Sequence, residues 1–261
     1  MPATKTPTVP ALERGLNLLE VIARSRSGLT FSQLARSFDF PKSSIHCLLI
    51  TFERLGYLHR SKSTGRYVCG TQLVRLANLA LDGFAIREEA APLLRELAEH
   101  TGLTAHLAIL EGNEAMLVGK VSLIGGQHVP TWVGKRIDVH CTSLGKSLIA
   151  YLPEPQVDEI IRQRGLLRHN ENTISSAKKL KDDLTATRLR GYAIDDQEKE
   201  IGMRCIGVPV FQAGGRVVAA VSVSGRIADI DVETSPEILA ALRDTAQALA
   251  RRLDWFAVAA T

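Results

Sequence analysis

The chain has 261 residues, of which 45% are hydrophobic and 23% are charged. This composition is typical of a soluble globular protein, and the length is sufficient for two domains. No apolar run approaches the roughly 20 residues that span a membrane, and the start MPATKTPTVP lacks the apolar stretch of a secretory signal. We therefore expect a cytoplasmic protein with no membrane partner.

The cysteines exclude two common kinds of site. They are far apart in the sequence, with no CxxC pair, and are Cys47, Cys69, Cys141 and Cys205. Neither a zinc site nor a disulfide framework is indicated by this spacing. We expect reduced, mostly buried thiols, no metal site and no cofactor.

Positive charge is concentrated in the first third of the chain. Residues 1–75 contain 11 Lys and Arg against 4 Asp and Glu, a net charge of +7, whereas residues 76–261 carry −3. This asymmetry predicts a nucleic-acid-binding module beside a domain of near-neutral charge.

Two helices are predicted before residue 40. In the first, within LERGLNLLEVIA, the apolar residues at helical spacing are Leu12, Leu16, Leu19 and Ile22. The second is short, about SQLARSF. Thr30 begins it by capping free backbone N–H groups while Gln33 reaches back, which is the capping-box pattern.

A third helix begins at Pro41, whose missing N–H has no helical partner in a first turn. Its apolar stripe consists of Ile45, Leu48, Leu49 and Phe52, and Gly56 ends the helix. The other face carries short polar side chains near the helix start, where a helix can enter a DNA major groove. We assign this face to DNA binding, with Lys42, Ser43, Ser44, His46, Cys47 and Thr51. The helix alone is equally compatible with a solvated face of a small helical domain.

The next segment, YLHRSKSTGRYVCG, predicts two short strands around a Ser-Thr-Gly turn. Basic side chains cluster near its tip and are Arg60, Lys62 and Arg66. Such residues suit contacts with phosphates, which supply most of the affinity for DNA. Three helices and a basic hairpin predict a winged helix-turn-helix over residues 8–70, with double-stranded DNA as its partner.

The rest of the chain predicts an α+β domain. An apolar linker helix over 71–83 is also a candidate contact with a partner subunit, and residues 84–261 form the second domain. An amphipathic helix ending at Gly102 precedes a hairpin, TAHLAIL and AMLVGKV. Further helices are predicted at 143–151, 155–164, 176–190 and from about Ser235 to Phe256, with strands at 204–211 and 216–224. Helices and antiparallel strands therefore mix in one domain. The N-terminal tail and residues 165–175 are the expected loose segments.

Several of these patterns together resemble one protein family over nearly the whole chain. The pattern ALERGLNLLEVIA…GLTFSQLA…FPKSSIHCLL…LGYL…GRYVCG is similar to the winged helix of IclR-type bacterial transcriptional regulators. HCTSLGKSLIAYLP is similar to the motif that opens their effector domain. GYAIDDQEKEIGMRCIGVPVF carries the family's Gly, Asp, Glu and Cys at Gly191, Asp195, Glu198 and Cys205, and SVSG follows at 222–225.

This resemblance implies a ligand-controlled DNA-binding protein with a GAF-like C-terminal domain, assembled as a homodimer or homotetramer. The effector-binding residues that it implies are Ser143, Leu144, Asp195, Cys205, Ser222 and Ser224. The residue types agree, because a helix start near Ser143 favours an anion and alternate serines on a strand share one face. A small organic acid is therefore the expected effector. Lys146, one turn into the helix, is expected to point elsewhere.

Two positions near the expected pocket opening are further candidates. We place His106 and Trp132 there, since an indole could stack on an aromatic or lactone effector. Cys47 departs from the family, because many relatives carry an arginine at this point of the recognition helix, so their operator sequences do not transfer. Both a repressor and an activator that recruits RNA polymerase are compatible with these residues.

Two other functions are an enzyme and a redox-sensing regulator. An enzyme would need a nucleophile and a base, for which Cys205 or Ser222 with His140 or His128 are conceivable, but no GxSxG, HExxH or phosphate-binding glycine loop is present. We therefore expect no catalysis. A redox-sensing regulator would use Cys205 or Cys141, and it requires a thiol with a lowered pKa and access to solvent.

Overall fold

The computed structural model describes residues 9–82, 85–125, 129–231 and 236–259. The chain divides into two compact units, Met1–Gly83 and Phe84–Thr261. The N-terminal tail, His128 and Ser235, where the last helix was predicted to begin, lie outside the described residues. Within the described residues, no helix is both long enough and apolar enough to cross a membrane.

The first unit contains three helices, a hairpin and a fourth helix. They are α1 (Pro10–Ala23), α2 (Phe31–Ser37), α3 (Lys42–Arg54), β1 (Leu58–Arg60), β2 (Tyr67–Cys69) and α4 (Thr71–Asp82). β1 and β2 pair antiparallel. This order is the predicted winged helix-turn-helix followed by the linker helix.

Local sequence accounts for these boundaries. Thr30 Oγ1 accepts a hydrogen bond from the Gln33 N–H (3.3 Å), and the Thr30 N–H donates to Gln33 Oε1 (2.9 Å), so the predicted capping box is present. Ile45 and Leu49 of α3 are fully buried. In α1 only part of the spaced apolar set enters the core, because Leu12 and Leu16 remain 60% and 52% exposed.

The second unit is a six-stranded sheet covered by helices. Its elements are α5 (Ala85–Thr101), β3 (Thr104–Glu111), β4 (Glu114–Val121), β5 (Arg136–Ile137), α6 (Ser143–Ile149), α7 (Glu154–Arg164), α8 (Ala177–Arg190), β6 (Ala193–Asp196), β7 (Met203–Phe211), β8 (Val217–Arg226) and α9 (Pro236–Ala259). The strand order is β5-β4-β3-β8-β7-β6, and every neighbouring pair is antiparallel. One hydrophobic cluster joins α5 and α9 to the sheet, and a second joins α6, α7 and α8 to it. The predicted α+β class is confirmed.

The structure departs from the sequence prediction at the sheet edges and in one loop. The edge strands β5 and β6 were not predicted, because one has only two residues and the other, AIDD, is half acidic. Residues 165–175, which were expected to form a loose segment, are held by hydrogen bonds to the turn after β6. Thr173 Oγ1 donates to the Glu198 carbonyl (2.7 Å), and Asn170 Nδ2 donates to the Gln197 carbonyl (3.0 Å).

A buried lysine connects α6 to the turn after β6. Lys146 is only 1% exposed, and its Nζ lies 2.5 Å from Glu198 Oε1 and 3.0 Å from Asp183 Oδ2 of α8. Its side chain is therefore directed at the turn after β6 and at α8. Lys146 does not line the cavity at the start of α6, in agreement with the expectation that it points elsewhere. A charge removed from water so completely is tolerated only because oppositely charged groups surround it.

Replacing this lysine should destabilise the second unit. Lys146→Met leaves Glu198 buried without its cation, and loss of one member of a buried pair costs about 3–5 kcal/mol. We expect a fall of that size in the free energy of unfolding, measured by urea titration. Lys181→Met is the matched control, because Lys181 forms its ion pairs with Glu154 and Asp158 at the surface, and it should change stability far less. Equal effects of the two substitutions would contradict the role assigned to Lys146.

Candidate functional site

The polar face of α3 is open to solvent. Lys42, Ser43, His46, Cys47 and Thr51 are exposed, and Ser44 is partly buried. Ile45 and Leu49 anchor the opposite face in the core. The helix therefore presents the predicted set of donors and acceptors on one side and is held from the other.

Two of these side chains also contact their own domain. The Thr51 hydroxyl donates to the Cys47 carbonyl one turn earlier (2.8 Å), which leaves its oxygen as an acceptor. The His46 ring meets Phe31 of α2 edge-on, with 6.1 Å between the ring centroids. His46 is thereby oriented by the preceding helix.

The basic residues of the hairpin differ in their surroundings. Lys62 is exposed at the turn. The Arg60 guanidinium lies over the Tyr67 ring at 5.5 Å. Arg66 donates from Nη1 to the Gly28 carbonyl (2.8 Å) and so joins the hairpin to the segment before α2. Sequence reasoning placed all three on phosphates and missed this anchoring contact, because it links residues 38 positions apart.

The second unit contains a cavity of about 330 Å³ at the start of α6. Of the predicted effector-binding residues, those that line it are His106, Ser143, Leu144, Asp195, Cys205, Ser222 and Ser224. Trp132 is not among the lining residues; it is 61% exposed, and the Lys135 ammonium lies 4.7 Å from its ring centroid. Sequence reasoning missed Thr131, Lys135 and Lys199, which also line the cavity and carried no motif.

Strand register places the polar groups of the cavity together. Ser222 of β8 lies opposite His106 of β3 and Gly207 of β7, and Ser224 lies opposite Cys205. Residues directly opposite in an antiparallel pair point to the same face. Ser222 and Ser224 are 1% and 4% exposed, so their hydroxyls are almost completely removed from bulk water.

Gly207 explains how α6 reaches this face. A Cβ at position 207 would lie 2.9 Å from both the carbonyl carbon and the carbonyl oxygen of Ser143, which only a glycine avoids. Thr142 caps the helix by accepting from the Gly145 N–H (3.1 Å) and donates its own proton to the Asp138 carbonyl (2.6 Å). The first turn of α6 is thereby fixed beside Ser222.

Two titratable groups in the cavity have shifted pKa values. Burial and, to a smaller extent, the nearby charge of Glu198 together raise the pKa of Asp195 to about 7, although Asp195 Oδ1 accepts from the backbone N–H groups of Glu198 (2.9 Å) and Lys199 (3.3 Å). Burial lowers the pKa of His106 to about 3, with added repulsion from Lys120 and Lys135. His106 is therefore neutral, and its Nε2 lies 2.8 Å from Thr131 Oγ1.

The thiols do not meet the requirements of a redox sensor. Burial raises the pKa of both Cys205 and Cys141 well above the usual range. The thiolate is the reactive form, and a sensor needs a lowered pKa and solvent access. The raised pKa argues against the redox alternative for both residues. For the fully buried Cys141, the lack of solvent access also argues against it.

Of the two histidines in the catalytic alternative, only His140 lies within the described residues, and it is not placed to act as a base for Cys205 or Ser222. Cys205 and Ser222 line the cavity, but His140 does not. His140 is 2% exposed, and its Nε2 lies 3.0 Å from the Leu167 carbonyl, so its ring serves to hold the 165–176 loop.

The shifted carboxyl of Asp195 should be visible in the pH dependence of stability. With a folded pKa of about 7 against a usual 3.8, the unfolded chain releases this proton between pH 4 and 7 while the folded chain retains it. Rising pH therefore favours unfolding in this window, by up to about 1.4 kcal/mol per pH unit, and the loss levels off above pH 7. Asp195→Asn, whose Oδ1 still accepts the backbone bonds, should lack this loss in melting curves recorded from pH 5 to 8. Asp196→Asn, at the exposed neighbouring position, is the control and should follow the unmodified chain; parallel profiles for all three proteins would contradict the shift.

Comparison with known proteins relates both units to the same protein family. Residues 78–251 match the family profile "Bacterial transcriptional regulator IclR C-terminal", and residues 11–62 match the "IclR helix-turn-helix domain". The chain is 31% identical to the HTH-type transcriptional regulator XynR of Escherichia coli over 95% of this chain and 99% of that protein. It is 32% identical to the transcriptional repressor IclR of Escherichia coli, over 87% and 84% of the two chains.

Solved structures of proteins from the same family are also similar to this chain. The Thermotoga maritima IclR structure has a TM-score of 0.76 at 32% identity and covers 93% of this chain and 98% of that one. An IclR homolog from Microbacterium hydrocarbonoxydans, complexed with 4-hydroxybenzoate, has a TM-score of 0.79 at 25% identity, over 92% and 98%. The curated relatives named above are regulators, which confirms that this chain is not an enzyme. The chain belongs to the IclR family of bacterial DNA-binding transcriptional regulators.

Proposed function

We propose that the chain is a regulator of a catabolic pathway whose C-terminal domain binds a small organic acid. In this proposal residues 8–70 bind a pseudo-palindromic operator, residues 71–83 form the linker helix, and residues 84–261 bind effector and assemble the oligomer. The observation that carries it is the pair of buried hydroxyls of Ser222 and Ser224 at one cavity wall, beside the first turn of α6.

The chemistry of the cavity favours a carboxylate. Serine hydroxyls donate to carboxylate oxygens, and the first N–H groups of a helix lack intrahelical partners. Lys135 and Lys199 add positive charge to the lining. Asp195 and Glu200 also line the cavity, and their carboxylates would repel such a ligand. The pKa of Asp195, raised to about 7, reduces the repulsion from that one carboxyl.

The remaining lining limits the size and polarity of the ligand. Apolar side chains of the wall include Leu117, Ile137 and Leu144. A volume of about 330 Å³ is at the lower end of the range for small-molecule sites. An acid with a short apolar body fits these limits, and the 4-hydroxybenzoate held by the Microbacterium homolog is a ligand of this class.

The DNA contacts proposed for the first unit follow from exposure. Lys42, Ser43, Ser44, His46, Cys47 and Thr51 would face the major groove. Lys62 and Arg60 would contact phosphates, while Arg66 mainly holds the hairpin in place through Gly28. Since a thiol at Cys47 offers only weak hydrogen bonds, the preferred operator should differ from that of relatives with arginine there.

Association through the first unit is supported by exposed apolar side chains. Leu12 and Leu16 on α1 are 60% and 52% exposed, and Val74 and Leu76 on α4 are 61% and 53% exposed. A homodimer, or a homotetramer of two such dimers, would cover them and place two α3 helices on successive half-sites. Ligand binding then shifts the balance between arrangements of these pairs only by its different affinity for each. RNA polymerase would be a partner if the bound arrangement activates transcription.

Organic acids should stabilise the protein through these serines. A panel of aliphatic, keto and aromatic acids, screened by thermal shift on the full chain, should contain one that raises the melting temperature; at about 100 times its Kd a ligand adds about 2.7 kcal/mol. Ser222→Ala and Ser224→Ala should each abolish or greatly reduce the shift. Ser176→Ala is the control, because Ser176 precedes α8 with no side-chain capping bond. A shift that survives both serine substitutions would place the ligand elsewhere.

Operator binding should depend on the α3 face. With an operator selected from random DNA, Ser43→Ala should weaken specific binding by about 1 kcal/mol if it contacts a base. Lys62→Ala should lower the salt dependence by about one unit of slope without changing sequence preference. Lys178→Ala, at an exposed position of α8, is the control. Unchanged operator affinity in Ser43→Ala, Ser44→Ala and His46→Ala would show that another surface binds the DNA.

A further inference from the structure

Three potential metal ligands meet beside the effector cavity. Asp138 and Cys141 lie just before α6, and His169 lies in the 165–176 loop. One ligand atom from each, a carboxylate oxygen, Sγ and a ring nitrogen, lies within 4.8 Å of the other two. No short motif marks this group in the sequence, because His169 lies 28 residues from Cys141.

The hydrogen bonds inside this group conflict. His169 Nε2 lies 2.9 Å from Asp138 Oδ2 and 3.0 Å from Lys199 Nζ. Bonding to the carboxylate requires a proton on Nε2, whereas bonding to the ammonium requires a lone pair there. Both cannot hold at once. An imidazole nitrogen that keeps its lone pair can bind a cation at this position.

Lys199 occupies the place of that cation. Its Nζ is 2.6 Å from Asp138 Oδ2 and 3.0 Å from His169 Nε2, so one positive group already bridges two of the three ligand atoms. Lys199 is partly exposed and also lines the effector cavity, which gives its flexible side chain another position to occupy.

We propose that Asp138, Cys141 and His169 form a binding site for a zinc-type divalent transition-metal ion, with Lys199 as the competing internal cation. Carboxylate oxygen, thiolate sulfur and imidazole nitrogen are all zinc donors, and three protein ligands leave a fourth position for water. When the metal binds, the Cys141 thiol releases its proton to solvent and Lys199 leaves Asp138 and His169. Because a thiol must lose its proton to ligate zinc, metal binding and proton release are coupled.

The backbone around the ligands is already held in place. The Asp138 carbonyl accepts from Thr142 Oγ1 (2.6 Å). On the loop, the His169 N–H donates to Thr173 Oγ1 (3.1 Å), and Thr173 donates in turn to Glu198 (2.7 Å). Both segments that supply ligands are thus fixed to the α6 start and to the turn after β6, so metal binding requires mainly side-chain rotation.

Metal binding by the full chain tests the proposal directly. Chelator-treated protein is titrated with Zn²⁺ alone against a chromophoric chelator, and with Co²⁺ alone to observe thiolate-to-cobalt absorption. We expect one ion per chain. Cys141→Ser and His169→Gln should weaken binding by about tenfold or more, since even outer-sphere substitutions cost 10–100-fold, and Cys141→Ser should remove the cobalt–thiolate band. Cys69→Ser, at an exposed thiol of the first unit, is the matched control and should bind like the unmodified chain.

Lys199→Gln separates this site from a nonspecific one. Removing the competing cation should tighten zinc binding on the order of tenfold, because the ammonium lies within hydrogen-bond distance of two ligands. If zinc bound only at an adventitious surface site, Cys141→Ser would not weaken zinc binding and Lys199→Gln would not tighten it. The proposal is overturned if the chain binds no stoichiometric Zn²⁺, if Cys141→Ser binds as tightly as the unmodified chain with its fold intact by circular dichroism, or if Lys199→Gln has no effect.

Discussion

The ion pair between Lys146 and Glu198 is the constraint on which the second domain depends. Lys146 lies on α6 with only 1% of its surface exposed, and Glu198 lies in the turn that follows β6. Because a buried ammonium requires its carboxylate, this turn cannot move away from α6 without exposing or isolating a charge. The turn also holds Asp195 by the Glu198 and Lys199 N–H groups and receives the 165–176 loop through Thr173. The position of one lysine thereby fixes three segments that surround the cavity.

The close approach at Gly207 works together with that pair. The first turn of α6 can lie on β7 only because position 207 has no Cβ, since one would meet the Ser143 carbonyl at 2.9 Å. Lys146 lies one turn further along the same helix and holds it through Glu198 and Asp183. The helix start is therefore placed against Ser222 from two directions, which gives a small polar end to a cavity whose other walls include Leu117 and Ile137. A ligand with one anionic end and an apolar body is matched to this division.

The sequence predicted regular elements and motif residues well and long-range polar contacts poorly. The α3 stripe, the Thr30 cap and the alternation of Ser222 and Ser224 depend on spacing within one element, so they can be recognised from the residues alone. Trp132 is not a lining residue, although its neighbour Thr131 is, because the sequence carries no information about which side of a loop an aromatic ring will face. Lys135 and Lys199 were missed because their positions depend on how loops return to the sheet. The Asp138, Cys141 and His169 group was missed for the same reason.

Lys199 connects the proposed metal site with the cavity proposed to bind an organic acid. Its ammonium bridges Asp138 and His169, and the same side chain lines the effector cavity. An ion bound between Asp138, Cys141 and His169 would displace that ammonium toward the cavity, where it adds positive charge next to an acidic ligand. An acid that attracts Lys199 into the cavity would in turn remove the internal competitor from the metal ligands. Linkage requires these two effects to be equal in free energy, so under the two proposals a metal ion that displaces Lys199 and an organic acid that binds it would each favour binding of the other.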